Sequence, residues 1–295
     1  MNLFRRLQNK FRFSRAASSA PIAPMPCIRR APTTTGDSMN GSGFSFAPTR
    51  AAVSDAEWRQ RVDLAAAFRL AGYYRMTDQI YTHLTAKVPG TQAHFLINPY
   101  GVLFDEVTAS CLVKVDIDGE VVFDPTGIGI NPAGFLIHSC IHRARPDLHA
   151  VLHTHTAAGI AVAAQRRGLL NLSQHAMRFH RRIGYHDYEG VALDFSEQDR
   201  LVRDLGPHNV MILRNHGLLA AGDTIREAFE RLYYLERACE TQVRAQSGGA
   251  ELIECSDEIA EKVAQALDRP GRSARDNDWP ALRRLLDRID PSYAT

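Results

Sequence analysis

The sequence predicts an α/β fold in which helices pack on a mostly antiparallel sheet. Short apolar runs typical of strands are interspersed with longer segments of helical periodicity. Several of these strands follow one another with only a turn between them, as antiparallel neighbours do. The chain has 295 residues, of which 45% are hydrophobic and 23% charged. This composition is typical of one large globular domain or two small ones.

Bulk charge and cysteine content exclude several classes of protein. The formal net charge is only +2, which gives no whole-domain footprint for nucleic acid. The five cysteines are scattered without a C-x-x-C motif, which favours free thiols in a reducing compartment. The sequence contains no run of eighteen apolar residues, so no transmembrane helix is predicted. We therefore expect a cytoplasmic protein.

Residues 1–50 are expected to form a disordered basic segment. They contain eight Lys or Arg residues against one acid and few apolar residues, so they cannot bury enough surface to fold. Three explanations stay open at this point. The segment is a mitochondrial transit peptide, which would place the protein in mitochondria, or a basic tail, or it is absent from the mature protein because Met25 and Met39 are alternative starts.

The first half of the chain predicts a long helix, a series of strands and a second helix. Ser54 has the character of an N-cap with a capping box, and apolar residues recur at helical spacing from Trp58 to Tyr74. Residues 80–97 predict a β-hairpin interrupted by Pro89-Gly90. The predicted strands are 80–88, 94–97, 109–115, 120–123 and 148–155, and the second helix is 135–144.

The second half predicts mostly helices around one buried strand. Residues 182–188 are expected to be irregular because ionisable groups crowd there. The helices are predicted at 156–166, 174–179, 196–204 and 225–246, and the strand at 210–214. We expect the domain to span 54–249 and a helical C-terminal tail to span 250–295, with helices at 256–268 and 279–288 and a polar linker at 269–277.

Three histidines form the candidate metal site. His153 and His155 lie two residues apart at the end of a predicted strand, so both side chains point to one face. His216 follows another apolar strand and is the best candidate for a third ligand. Three neutral imidazoles leave a coordination position open, which is typical of a catalytic metal. The alternative is a chance pair, because the chain has twelve histidines.

Six segments of the chain carry a resemblance to a known family: Ile80–Lys87, Leu96–Gly101, Ser110–Asp116, Ile137–Asp147, His153–Thr156 and Leu213–Gly217. With these segments, from about Trp58 to Ala245, the chain resembles the class II aldolase/adducin family, in particular its adducin head-like branch. The resemblance implies a three-layer α/β/α domain with a mostly antiparallel central sheet. It also implies that His153, His155 and His216 bind a divalent metal, usually zinc, with iron as the alternative, and that the protein is a homo-oligomer, commonly a tetramer.

The chain departs from the sugar-phosphate aldolases of this family at the start of the helix that carries His138. Those enzymes have a Ser-Ser-Glu segment there, whereas Ala133 and Gly134 offer neither the catalytic carboxylate nor phosphate-binding hydroxyls. His83 stands where they have a phosphate-binding asparagine. We expect His83, Ala133 and Gly134, together with Lys87, to line a substrate site that does not favour phosphorylated sugars.

The resemblance implies a metal-dependent lyase that performs aldol cleavage or decarboxylation on a small non-phosphorylated hydroxy or keto substrate. His186 and Asp187 are candidate proton-transfer groups because histidine titrates near neutrality. Tyr188, with Tyr185 as the alternative, is a candidate donor to a leaving alkoxide. The alternative function is a non-catalytic interaction module like the adducin head, with actin as a partner.

A second histidine pair is less suited to a metal. His138 and His142 are four residues apart on one helix face. Packing and polar contacts are favoured for this pair, with metal binding as the alternative.

Overall fold

The computed structural model describes residues 49–191, 195–267 and 278–295, which belong to one compact unit. Most of the predicted basic segment and the predicted linker lie outside the described residues. The described part of the chain begins with a short helix, α1 (Thr49–Ala52). The Thr49 hydroxyl donates to the carbonyl of Ser110 at 2.8 Å, which ties this helix to the domain.

The described helices and strands alternate much as the sequence predicts. The helices are α1 (Thr49–Ala52), α2 (Asp55–Tyr73), α3 (Pro132–Ala144), α4 (Ala157–Ala163), α5 (Gln174–Met177), α6 (Gln198–Leu205), α7 (Ile225–Ser247), α8 (Asp257–Leu267) and α9 (Asp278–Ile289). The strands are β1 (His83–Lys87), β2 (His94–Ile97), β3 (Val113–Asp116), β4 (Val121–Phe123), β5 (Ala150–Thr154), β6 (Ile183–His186), β7 (Val210–Leu213) and β8 (Gly217–Gly222). Short 3-10 helices span Phe195–Glu197 and Pro291–Ala294.

The strands form one sheet in the order β4-β3-β2-β1-β5-β8-β7-β6. Every described pairing is antiparallel except that of β6 with β7. The mostly antiparallel sheet is therefore confirmed. This order places β5 between β1 and β8, so that His153 has His83 opposite it on one side and Leu219 on the other.

Helices cover both faces of the sheet, which confirms the three-layer prediction. Successive side chains of β5 point to opposite faces of the sheet, so Leu152 lies in the core on one face and Val151 in the core on the other. The Leu152 core packs against α2, α4 and α7. The Val151 core packs against α3 and α6. The two cores bury the apolar face of each helix against the sheet, and burial of apolar surface is the main favourable term in folding.

The predicted helix starts are confirmed by their caps. The Ser54 hydroxyl accepts from the Glu57 amide at 3.1 Å, and the Thr224 hydroxyl accepts from the Glu227 amide at 3.2 Å. Each bond satisfies one of the amides that have no partner within the helix.

Four sequence predictions of local structure are wrong. Gly217–Gly222 forms β8, where the sequence analysis expects no strand. Residues 183–186 form β6 rather than an irregular segment, because the ionisable His186 is buried against two carboxylates. The strand predicted from residue 109 begins only at Val113, and a turn with a hydrogen bond from the Cys111 amide to the Thr108 carbonyl precedes it. The strand predicted from residue 80 begins at His83, after Thr82, whose φ is 72°.

The end of the C-terminal tail packs into the domain. Tyr293 is fully buried in the same core as α2 and α7. The amides of Ala109 and Ser110 donate to the carbonyls of Tyr293 and Thr295, each at 2.9 Å. Among the described residues, no helix combines the length and the apolarity needed to cross a bilayer.

Candidate metal centre

His153, His155 and His216 converge at one end of the sheet. His153 lies near the end of β5, His155 follows that strand, and His216 lies in the turn between β7 and β8. Their ring centroids are 4.7 to 4.8 Å apart, and one ring nitrogen from each lies within 4.8 Å of the others. We refer to these three residues as the histidine triad.

The β7–β8 turn places His216 beside β5. Asn215 has a φ of 56°, a left-handed conformation that asparagine tolerates better than most residues, and this tight turn reverses the chain. Gly217 follows with no side chain. A Cβ atom there would lie 2.3 Å from the carbonyl oxygen of Thr154 and 3.3 Å from the His153 ring. A glycine is therefore required for the close approach of the turn to the histidines.

Hydrogen bonds on the outer ring nitrogens fix how two triad histidines face. His153 Nδ1 donates to the Leu218 carbonyl at 2.9 Å, and His155 Nδ1 donates to Asp78 Oδ2 at 3.1 Å. Both Nε2 atoms then carry lone pairs, and they lie 2.9 Å apart. Two such lone pairs repel each other unless a cation lies between them. The donor set therefore fits a divalent metal, whose histidine ligands commonly donate their second N–H to a carbonyl or carboxylate.

Burial keeps His153 and His216 in the form that binds a metal. Desolvation, followed by the neighbouring histidines, lowers the pKa of His153 well below its ordinary value of 6.5. The same causes lower the pKa of His216 to about 4. Both rings are therefore neutral near pH 7, and a neutral imidazole is the form that binds a metal.

Of the predicted substrate residues at this end of the sheet, His83 lies next to the triad, and Gly134 lies against His83. His83 pairs with His153 across β1 and β5, and His83 Nδ1 lies 3.2 Å from Asn98 Oδ1. Directly opposed residues of neighbouring strands share a face, with Cβ atoms about 4.5–5.5 Å apart. Gly134 lies against the His83 ring in the first turn of α3. Ala133 is half-buried in the same turn, and its amide donates to the N-cap side chain of Asn131 at 3.1 Å.

Lys87, the fourth predicted substrate residue, lies four residues further along β1 at the other end of the strand. Its Nζ is within 3.1 Å of Gln92 Oε1 and within 3.4 Å of the carbonyls of Arg145 and Pro146. This side chain therefore binds the carbonyls that follow α3, and the structure does not bring it to the triad.

The three predicted catalytic residues are in different surroundings. His186 is buried, with Nδ1 2.8 Å from Asp204 Oδ2 and Nε2 3.2 Å from Glu197 Oε1. Both ring nitrogens are thus engaged by carboxylates. Asp187 and Tyr188 are exposed, and the Tyr188 ring centroid lies 6.2 Å from that of His216.

His138 and His142 form a separate cluster with Thr85. The Thr85 hydroxyl oxygen lies 2.8 Å from both His138 Nδ1 and His142 Nε2, and 3.3 Å from the Val151 carbonyl. All three side chains are buried. Burial lowers the pKa of His138 well below its ordinary value and that of His142 to about 3, so both rings are neutral.

Two contacts of the candidate site are absent from the sequence reasoning. Asp78, which orients His155, is 77 residues away in sequence, and only a resemblance or a contact map could have linked the two. The Leu218 carbonyl, which orients His153, is a backbone group without a sequence signal. The Leu218 contact depends on β8 lying beside β5.

Comparisons with known proteins agree with the geometry. The family described as Class II Aldolase and Adducin N-terminal domain matches residues 62–243. A crystal structure of an aldolase II superfamily protein from Pseudomonas syringae is 55% identical, covers 83% of this chain and 99% of its own, and superimposes with a TM-score of 0.80. An L-fuculose 1-phosphate aldolase from Glaciozyma antarctica PI12 is 26% identical, with coverage of 84% and 95% and a TM-score of 0.71. Rat alpha-adducin is 40% identical over 245 residues, which are 78% of this chain but 33% of that protein.

Proposed function

The chain belongs to the class II aldolase and adducin family, and we propose that it is a metal-dependent lyase. The substrate is a small hydroxy or keto compound without a phosphate group, and the reaction is aldol cleavage or decarboxylation. One observation carries this proposal. The Nε2 atoms of His153 and His155 face each other at 2.9 Å while their outer nitrogens are anchored, and His216 completes the group.

The metal would be held by His153, His155 and His216. When bound, a divalent metal supplies a Lewis acid that stabilises negative charge on a substrate oxygen as a carbon–carbon bond breaks. Zinc suits three imidazole ligands, and iron is the alternative. Asp78 and the Leu218 carbonyl would orient two of the ligands before the metal binds, so that little binding free energy is lost in ordering them.

Proton transfer falls to the chain's own side chains. The 6.2 Å ring distance between Tyr188 and His216 supports Tyr188 as the donor to a leaving oxygen. Asp187 is exposed beside it and is the proposed acceptor. His186 would hold these two neighbours in position. It would transfer a proton directly only if one of its two carboxylate contacts opened during the reaction.

Solvent-isotope exchange tests the reaction class. Zinc-loaded protein is incubated in D2O with a set of small hydroxyketones and 2-hydroxy acids, and deuterium entering next to the carbonyl is followed by NMR. We expect exchange with at least one compound, no exchange with His155→Ala, and slower exchange with Tyr188→Phe. Exchange that survives in His155→Ala at the wild-type rate would contradict the proposed role of the metal.

A second candidate function is a non-catalytic interaction module. The similarity to rat alpha-adducin and the glycine at position 134, where the aldolases have their catalytic carboxylate, favour it. Cosedimentation with purified actin filaments tests the partner expected for that reading. A protein that exchanges substrate protons and leaves actin pellets unchanged is the lyase, whereas the opposite pair of results identifies the module.

We also propose that the protein is a homo-oligomer, as expected from the resemblance. Light scattering coupled to size-exclusion chromatography measures its mass against the 32.8 kDa of one chain. A mass of a single chain at the concentration of the exchange assay would contradict this proposal.

A further inference from the structure

The imidazole of His83 occupies the space of a missing side chain. A Cβ atom on Gly134 would lie 2.0 Å from His83 Cδ2 and 2.5 Å from both Cγ and Nε2. Carbon atoms do not approach this closely, and every one of these three contacts is with a rigid ring. Any residue other than glycine at position 134 must therefore displace His83.

The His83 ring has little freedom to move away. It is 4% exposed, and its Nδ1 lies 3.2 Å from Asn98 Oδ1. The preceding residue, Thr82, is β-branched and has a φ of 72°. A β-branched residue in this left-handed region is strained, and such strain persists only where the surrounding structure imposes it. The backbone thus holds His83 in one place, opposite His153.

The same ring sets what the start of α3 can bind. The amides at a helix N-terminus suit an anion, but the Ala133 amide already donates to Asn131, and the His83 ring lies on Gly134. Because His83 Nδ1 donates to Asn98, Nε2 carries a lone pair, which accepts a hydrogen bond from a hydroxyl group and repels a phosphate. Asn98 Nδ2 is buried without a partner among the described residues, so a donor for the hydroxyl oxygen lies beside the acceptor on the ring.

We propose that His83 and Gly134 are an interlocked pair that determines specificity: the ring fills the volume of a side chain at position 134 and selects an uncharged hydroxyl end of the substrate over a phosphate. This proposal rests on the proposed function, which supplies the metal-bound end of the substrate. The interlock itself is independent of metal and substrate. The two parts therefore have separate tests.

A double-mutant cycle tests the interlock. Gly134→Ala is measured by thermal unfolding in the wild type, in His83→Asn and in His83→Ala. We expect it to lower Tm by about 5 °C or more in the wild type and by less than about 2 °C in both His83 backgrounds. Gly72→Ala in α2 is the matched control, because a Cβ atom there meets nothing within 4 Å. An equal loss in all backgrounds, or no loss in the wild type, overturns the interlock.

Binding of two matched ligands tests the specificity. Dihydroxyacetone and dihydroxyacetone phosphate share a hydroxyketone and differ only at the far end, and both are titrated into the zinc-loaded protein by calorimetry. We expect the wild type to prefer dihydroxyacetone, and His83→Asn to shift the ratio of the two Kd values at least about tenfold toward the phosphate. Equal or tighter binding of the phosphate by the wild type, or no binding of dihydroxyacetone, overturns the specificity. Failure to bind zinc would instead count against the proposed function, and the thermal unfolding cycle would still test the interlock.

Discussion

The histidine triad and the cluster of His138, His142 and Thr85 use the same side chain in opposite ways. In the triad, the outer nitrogens of two rings are bound to Leu218 and Asp78, and their inner nitrogens face each other. In the second cluster, two ring nitrogens face one uncharged hydroxyl, that of Thr85. The remaining nitrogens, His138 Nε2 and His142 Nδ1, are buried.

The difference separates a histidine group that could hold a metal from one that is hydrogen-bonded within the core. Spacing alone offers both a strand pair, His153 and His155, and a helix pair, His138 and His142. The inner nitrogens of the strand pair face each other directly, whereas those of the helix pair face the Thr85 hydroxyl. The helix pair uses its nitrogens for a hydrogen-bonded core, in which a hydroxyl can donate only once and so accepts from at least one of the rings.

Removal of a triad ligand gives the largest expected effect. His216→Ala leaves two imidazoles where three are needed, and we expect zinc affinity to fall more than about 100-fold, beyond the loss typical of an outer contact. A competition titration with a chromophoric chelator measures this. The matched variant His142→Ala should keep an affinity close to that of the wild type. If the two variants lose zinc equally, the contrast between the clusters is wrong.

Removal of the carboxylate behind the triad should have a smaller effect. Asp78→Asn keeps the shape but removes the charge that holds the His155 N–H, so we expect zinc affinity to fall about 10–100-fold. Asp223→Asn is the control, because Asp223 contacts His149 in the same way, at 2.7 Å, outside the triad. An Asp78→Asn variant that binds zinc as well as Asp223→Asn does would show that the outer contact does not orient the ligand.

The second cluster should affect stability rather than metal binding. Thr85→Val keeps the volume but leaves two buried ring nitrogens without their shared partner, which should cost about 1–3 kcal/mol in the free energy of unfolding. Urea denaturation of the metal-free protein measures this loss. Zinc affinity should be unchanged, and a tenfold loss would mean that the two clusters act as one.

The second cluster should also make the free energy of unfolding depend on pH, and this is the smallest of the expected effects. Burial, followed by the charge of Lys87, lowers the pKa of His142 from 6.5 to about 3 in the folded protein. The unfolded chain therefore binds a proton at His142 more readily than the folded protein does. The contribution of His142 to the free energy of unfolding is constant above pH 6.5 and falls as the pH drops toward 3. His142→Phe should flatten this slope by about 1 kcal/mol per pH unit in the metal-free protein. Parallel slopes for the variant and the wild type between pH 6 and pH 5 would contradict the assignment.

The fold and the triad could be predicted from the sequence because their signals are local or inherited. Leu152 and Val151 alternate between two cores, and the sequence shows that alternation directly. The spacing on one strand links His153 to His155, and the resemblance supports His216 as the third member. The strand at 183–186 cannot be predicted from neighbouring residues, because the carboxylates that permit burial of His186 belong to Glu197 and Asp204, 11 and 18 residues further along the chain.

The fit between His83 and Gly134 shows where sequence reasoning ends. The sequence shows a histidine and a glycine 51 positions apart, and the glycine reads as the loss of a carboxylate. The structure shows instead that the ring takes the place of the side chain. A contact between two residues on different elements depends on the packing of β1 against α3, which no periodicity encodes.

X-ray absorption at the zinc edge tests most directly whether the triad is the metal site. The protein is loaded with one equivalent of zinc, and the spectrum is compared with that of His155→Ala. We predict three imidazole nitrogens at about 2.0–2.1 Å in the wild type and the loss of this coordination shell in the variant. A spectrum with fewer than three imidazoles in the wild type, or one that His155→Ala leaves unchanged, would contradict the assignment.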